Sequence, residues 1–181
     1  MNLSNPLPQS ITLGGGCFWC VEAVYEMVDG VLAVQSGYAN GHISQPSYAQ
    51  VCEGDTGHVE VVRVDFDARR ISLREVLEFF FNIHDSTTLN RQGNDVGTQY
   101  RSGIYWQDES QREVAQAVLD EAQSAHGGRV VTELQRLDSY WPAEDYHQHY
   151  FARNPGQGYC AMVVAPKVEK FRKTFRARLR A

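Results

Sequence analysis

No stretch of the 181-residue chain stays apolar over the length a bilayer crossing needs, about 20 consecutive residues. Met1 to Gln9 carries neither the basic start nor the apolar run of a secretory signal. Both absences argue against a membrane partner and make the cytoplasm the expected location. There is no internal repeat and no interdomain linker, so one domain is expected across residues 1–181. Positive charge is not in excess. The chain has 17 Lys and Arg against 22 Asp and Glu, a formal net charge of -5, which gives no reason to expect nucleic acid. Cysteine is sparse at four residues. In a reducing compartment that number reads as reactive, buried or metal-bound thiols and not as a disulfide framework. The hydrophobic share of 43% and charged share of 22% are ordinary for a soluble globular domain.

What is present concentrates at Gly14-Gly15-Gly16-Cys17-Phe18-Trp19-Cys20. A short apolar strand (Ile11, Leu13) precedes the glycines and a helical pattern follows, from about Cys17 to Val28. Such a join puts Cys17 near a helix N-terminus, where free N–H groups and the helix dipole favour a thiolate. Phe18 and Trp19 beside the sulfur could hold an apolar ligand group. The competing reading is a small buried hydrophobe at a loop. The spacing Cys17-x-x-Cys20 raises the reactive reading, because such pairs exchange disulfides or bind metal.

The rest of the chain alternates strands and helices. Residues 1–10 read as an irregular arm. Strands are expected near Ile11–Leu13, Val31–Ser36, Val59–Phe66, Ile104–Trp106 and Arg129–Leu137. In the third of these, period-two alternation places Glu60 on the face of Val62, Val64 and Phe66. A carboxyl in register with a core face is desolvated and its pKa rises, which suits a proton donor. A strand-end Glu that has reached solvent is the alternative. Ser72-Leu73-Arg74-Glu75 has the capping-box pattern ahead of an apolar helix that ends at His84. Ser110 to Ala125 is amphipathic, Pro142 is expected to begin a short helix, and Lys167 to the end reads as a basic helix. Asn154 to Cys160 is glycine-rich and reads as mobile, and Thr87 to Thr98 is a long polar loop of the kind that carries function.

Several separated motifs, in order, resemble the A-type peptide methionine sulfoxide reductases. They are Gly16-Cys17-Phe18-Trp19, the run from Tyr48 to Glu60, Gln92 to Ser102, Ala143 to Gln148, and Gly158-Tyr159-Cys160. Together they cover about residues 11 to 161. The resemblance implies an α+β fold with a two-layer ferredoxin-like core, a mixed sheet, packed helices and long coil segments. It implies reduction of methionine S-sulfoxide, free or in proteins, as repair of oxidative damage. It also implies no bound cofactor, no metal, a monomer, and thioredoxin or another dithiol as external reductant.

Roles follow position by position. Cys17 matches the nucleophile and Glu60 the acid that protonates the sulfoxide oxygen. Tyr48, Tyr100 and Asp95 match the polar groups around that oxygen. Phe18 and Trp19 match the pocket for the S-methyl group, and Cys160 the resolving cysteine. The chain departs from the commonest pattern at Cys20, where many members have glycine, so Cys20 is an alternative resolving thiol or a relay. The other function classes are a general thiol–disulfide oxidoreductase using Cys17 and Cys20, and a zinc module using Cys17, Cys20, Cys52 and His58. The Cys52 spacing fits no common zinc pattern.

Overall fold

The computed structural model describes residues 8–181. Strand β1 (Gln9–Gly14) leads through the glycines into helix α1 (Phe18–Tyr25), followed by β2 (Val31–Ala39) and the short helix α2 (Tyr48–Cys52). Strand β3 (Val59–Phe66), helix α3 (Leu73–Ile83), and the two-residue strands β4 (Arg91–Gln92) and β5 (Asp95–Val96) come next. The chain then forms β6 (Gly103–Trp106), α4 (Glu109–Ala125), β7 (Glu133–Arg136) and β8 (Tyr140–Pro142). It finishes with α5 (Tyr150–Arg153) and α6 (Ala165–Thr174).

Six strands form one mixed sheet in the order β7-β6-β1-β3-β2-β8, and β4 pairs with β5 in a separate ribbon. Strand β3 runs antiparallel to both β1 and β2, so β1 and β2 are mutually parallel with β3 between them. By the same reasoning β3 and β6 are parallel with β1 between them. Two strand–helix–strand crossovers are thus interlocked. Both place their helices on one face, where Ile11, Leu13, Val62, Val64 and Phe66 meet Val21, Val24, Val76, Leu77 and Phe80 in a single buried cluster. Burying each such side chain contributes about 1.5–3 kcal/mol. On the other face Val59, Val61 and Tyr105 make a smaller cluster. That split follows from the strand alternation of β3, which turns Glu60 towards the helix-covered face.

Local chemistry explains the helix boundaries. Ser72 accepts from the Glu75 N–H while the Glu75 carboxylate accepts from the Ser72 N–H, so the α3 capping box is complete. Asp108 caps α4 through the Gln111 N–H at 2.9 Å.

Several expectations need correction. Gln9 and Ser10 belong to β1 and not to an irregular arm, whose first seven residues lie outside the described ones. Helix α1 stops at Tyr25, ahead of Gly30 with φ +92°. Pro142 ends edge strand β8 instead of starting a helix, a place where its missing N–H is tolerated. The C-terminal helix ends at Thr174, and after one 3-10 turn Leu179 bridges to Val28, which requires extended backbone. In the segment carrying Cys160, residues 155–158 are exposed and only its end packs down. Cys160 is fully buried and opens a π-helical turn (Cys160–Val164) that runs into α6.

Candidate active site

Gly16 has φ +89°, and a Cβ there would lie 2.6 Å from the Gln92 side chain, so only glycine lets the chain turn at this point. The turn sets Cys17 as the cap residue of α1. Its thiol is buried, and burial outweighs the helix terminus. Desolvation first, then the hydrogen bond to Cys20 and the charge of Glu60, hold the Cys17 pKa well above the ordinary thiol value. The thiolate expected for Cys17 from its position is therefore not the resting state. The hydrogen bond from Cys17, with help from the charge of Lys167 and the Tyr159 hydroxyl, moves Cys20 the other way despite its own burial. The two neighbouring thiols are thus displaced in opposite directions, Cys17 up and Cys20 down.

Glu60 is 2% exposed, and its Oε2 has no hydrogen-bond partner. Burial first, then the charges of Asp95 and Cys20, push its pKa well up, which favours the protonated, neutral acid. Tyr48, on α2, and Tyr100, in the 3-10 turn Thr98–Tyr100, both have raised pKa values. Burial is the main cause, and the Glu60 charge also contributes to each. Asp95, on β5, accepts from the Tyr159 hydroxyl at 2.5 Å. Mutual charge effects thus gather Cys17, Glu60, Tyr48, Tyr100 and Asp95 at one locus, from four separate parts of the chain.

Trp19 is half-buried. Tyr150 stacks on it at 3.8 Å between ring centroids, and Tyr159 meets it edge-on at 5.8 Å. Its indole N–H donates to His147 Nδ1 at 3.1 Å. Indole nitrogen is only a donor, so Nδ1 is the acceptor and the imidazole proton sits on Nε2. Burial lowers the His147 pKa and keeps the ring neutral, and Nε2 is buried without a partner. Phe18 is fully buried beneath His147 and Tyr38, with centroids at 5.0 and 5.8 Å, while Trp19 keeps partial exposure.

All four cysteines are free thiols. Cys160 is pushed up by burial and then by the charge of Cys20, whereas Cys52 is exposed on α2 and bonded to Tyr48. His58 has both ring nitrogens engaged, Nδ1 by the Gly41 N–H at 3.1 Å and Nε2 by the Ile43 carbonyl at 2.7 Å. It has no nitrogen left for zinc, which removes the zinc-module reading as framed.

A family model described as peptide methionine sulfoxide reductase matches residues 9–179. The chain belongs to that family. It is 53% identical over 164 residues to the peptide methionine sulfoxide reductase MsrA of Saccharolobus solfataricus, covering 91% of this chain and 93% of the relative. Among solved structures it resembles reduced Mxr1 from Saccharomyces cerevisiae, with TM-score 0.81 and 38% identity, covering 84% of this chain and 89% of the other. The same yeast protein in complex with Trx2 matches with TM-score 0.58 and 25% identity over 83% of this chain and 89% of the other.

As a methionine sulfoxide reductase, the chain carries site features that pattern reading passed over. His147, which receives the Trp19 indole N–H, had no role assigned to it from the sequence. Glu144 accepts from the Tyr38 hydroxyl at 2.9 Å and the Tyr48 N–H at 3.1 Å, which fixes α2 against the site. Tyr150 and Tyr159 cover Trp19. The available signal was the density of hydrogen-bonding residues in Ala143 to Tyr150, but nothing local showed which way they point.

Proposed function

We propose that Cys17 attacks the sulfur of methionine S-sulfoxide while Glu60 protonates the departing oxygen. Methionine sulfoxide reduction is the activity of the family, and this chain's residues can be given roles in it. Cys20, whose pKa is shifted down beside the raised Cys17 thiol, takes the Cys17 proton in its thiolate form as the sulfur–sulfur bond forms. Glu60 gives its proton to oxygen, methionine leaves, and Cys17 carries the hydroxyl as a sulfenic acid. Tyr48, Tyr100 and Asp95 surround the oxygen, and Trp19 with Phe18 behind it receives the methyl group.

A second thiol then attacks the sulfenic acid, water leaves, and a disulfide forms. The closeness of the two cysteines, with the Cys20 N–H donating to the Cys17 carbonyl at 3.1 Å, favours a relay, with Cys20 closing the first disulfide and Cys160 receiving it by exchange. Cys160 remains the resolving thiol presented to reductant. A thioredoxin-type dithiol is the external reductant, in line with the yeast relative's complex with Trx2. The interlocked crossovers support reading the core as a two-layer ferredoxin-like fold. We further assign a monomer in the cytoplasm with no bound cofactor. In keeping with that, no helix among the described residues is long and apolar enough to cross a membrane.

The observation that carries this reading is a buried Glu60 carboxyl with an unpaired Oε2, favoured as the neutral acid, at one locus with the buried Cys17 thiol. The test is a single turnover of pre-reduced protein with the S epimer of methionine sulfoxide, quenched over time and mapped for disulfides. The expected order is Cys17–Cys20 first, then a disulfide containing Cys160, with one methionine released. Cys17→Ser should release none. Release of methionine by Cys17→Ser would sink the assignment, and direct appearance of Cys17–Cys160 would remove the relay.

A further inference from the structure

The end of α3, the loop behind it and α6 enclose a cavity of about 650 Å³. Lys167, Lys170 and Arg129 line it, against one carboxylate, Asp85. Asp85 is engaged by the N–H and hydroxyl of Thr87 at 2.9 and 2.6 Å. Among the described residues none of the three cations has a carboxylate partner within ion-pair reach. Ser86 lines the same cavity, is 2% exposed, and its hydroxyl has no hydrogen-bond partner. Phe171 and Phe175, with centroids 4.8 Å apart, give the cavity an apolar wall.

We propose that this cavity is a binding site for an oxyanion, phosphate or carboxylate, carried on an apolar or aromatic body. A buried hydroxyl left unpaired is unfavourable, and a ligand oxygen that accepts from it would relieve that cost. Ammonium and guanidinium groups converging on a concavity, without acids of their own, have the charge complement of an oxyanion. On an ordinary solvated face neither the unpaired buried hydroxyl nor the aromatic wall would be expected. A bare ion would leave most of the volume and both phenylalanines unused, so the ligand is larger than its head group. The field of Lys167 is not neutralised locally. Burial, and also the Lys167 charge, lower the His84 pKa to about 4, and the same charge acts on Cys20. His84 itself is neutral and fully bonded, to the Phe80 carbonyl and the Ser102 hydroxyl, so it is wall and not ligand. Apart from the Lys167 charge felt at Cys20, the reductase chemistry makes no use of this cavity, and the site stands whether or not that mechanism does.

The test is isothermal titration of the reduced full-length chain at low salt with inorganic phosphate, phenyl phosphate and 3-phenylpropionate. At least one aryl ligand should bind at least about tenfold tighter than inorganic phosphate, and the tighter of the two names the head group. The double substitution Lys167→Gln, Lys170→Gln should weaken it at least about tenfold. Ser86→Ala, which leaves the basic wall in place, should weaken it by a smaller factor with near-ultraviolet dichroism unchanged. Absence of saturable binding by all three ligands would overturn the proposal. So would equal affinity of the lysine variant and the parent chain. The measurement involves no turnover and no thiol oxidation, so its failure cannot be confused with failure of the reductase mechanism.

Discussion

Glu60 illustrates how one strand position acquires a chemical role. The alternation of β3 turns it inward, and register with β2 puts it opposite Tyr38. Burial then does to its pKa what solvent would prevent. The acid role makes a sharp prediction. With Glu60 protonated up to a pKa well above the carboxyl norm, the first step should hold its rate through neutral pH and fall as pH rises through that raised value. Glu60→Gln should slow the step by about 10²–10⁴-fold and remove that alkaline limb, because an amide does not donate a proton to a leaving oxygen. The measurement is methionine formed in a single turnover across pH. An unchanged rate at pH 7 in the variant would end the acid assignment. Position alone also misleads at this scale. Cys17 does cap a helix, yet the thiol is held protonated, because the few tenths to about 1 kcal/mol a helix terminus offers is smaller than the cost of burying a thiolate.

Among the elements, the stretch from Asn154 into α6 is where sequence reading and structure part. Its glycines and Cys160 motif were legible, and so were the glycine turn at Cys17, the α3 capping box and the inward face of β3, because each is written within a few consecutive residues. The contact that fixes the stretch was not legible. Tyr159 reaches Asp95, 64 positions away in sequence, on a two-residue strand too short to show a pattern. Strand β8 was hidden for a similar reason, since Pro142 reads locally as a helix start and becomes a strand end only against β2. The Tyr159 hydroxyl thus ties the segment carrying Cys160 to Asp95, one of the residues proposed to surround the sulfoxide oxygen. Tyr159→Phe keeps the ring against Trp19 and deletes the bond to a carboxylate, worth about 1.5–3 kcal/mol. Amide exchange over residues 154–164 of the reduced protein should then accelerate by at least about tenfold, with exchange in β3 unchanged. Equal exchange in the two proteins would show that packing, not the hydroxyl, holds the segment.

At the scale of the whole molecule, the same economy that keeps acids buried sets how stability responds to pH. Glu22 sits on α1, 1% exposed, and accepts from the His149 N–H at 2.7 Å and the Ser36 hydroxyl at 3.2 Å. Burial still dominates, and its pKa rises from 4.5 to about 7. Glu60 is displaced in the same direction. A carboxyl whose folded pKa lies above its unfolded one binds more protons folded than unfolded in the window between the two. Stability therefore falls as pH rises through that window. For Glu22 the window runs from 4.5 to about 7, and the loss across it is about 3 kcal/mol. The protein should thus be more stable to urea near pH 5 than near pH 7.5, the reverse of a fold held by depressed carboxylates. Glu22→Gln keeps a carbonyl for the His149 N–H and has no charge to bury, so it should flatten the slope between pH 5 and 7. Urea midpoints at constant slope across that range decide the matter. A parent chain that gains stability from pH 5 to 7.5 would mean that His149, beside Glu22, offsets the cost of ionising it.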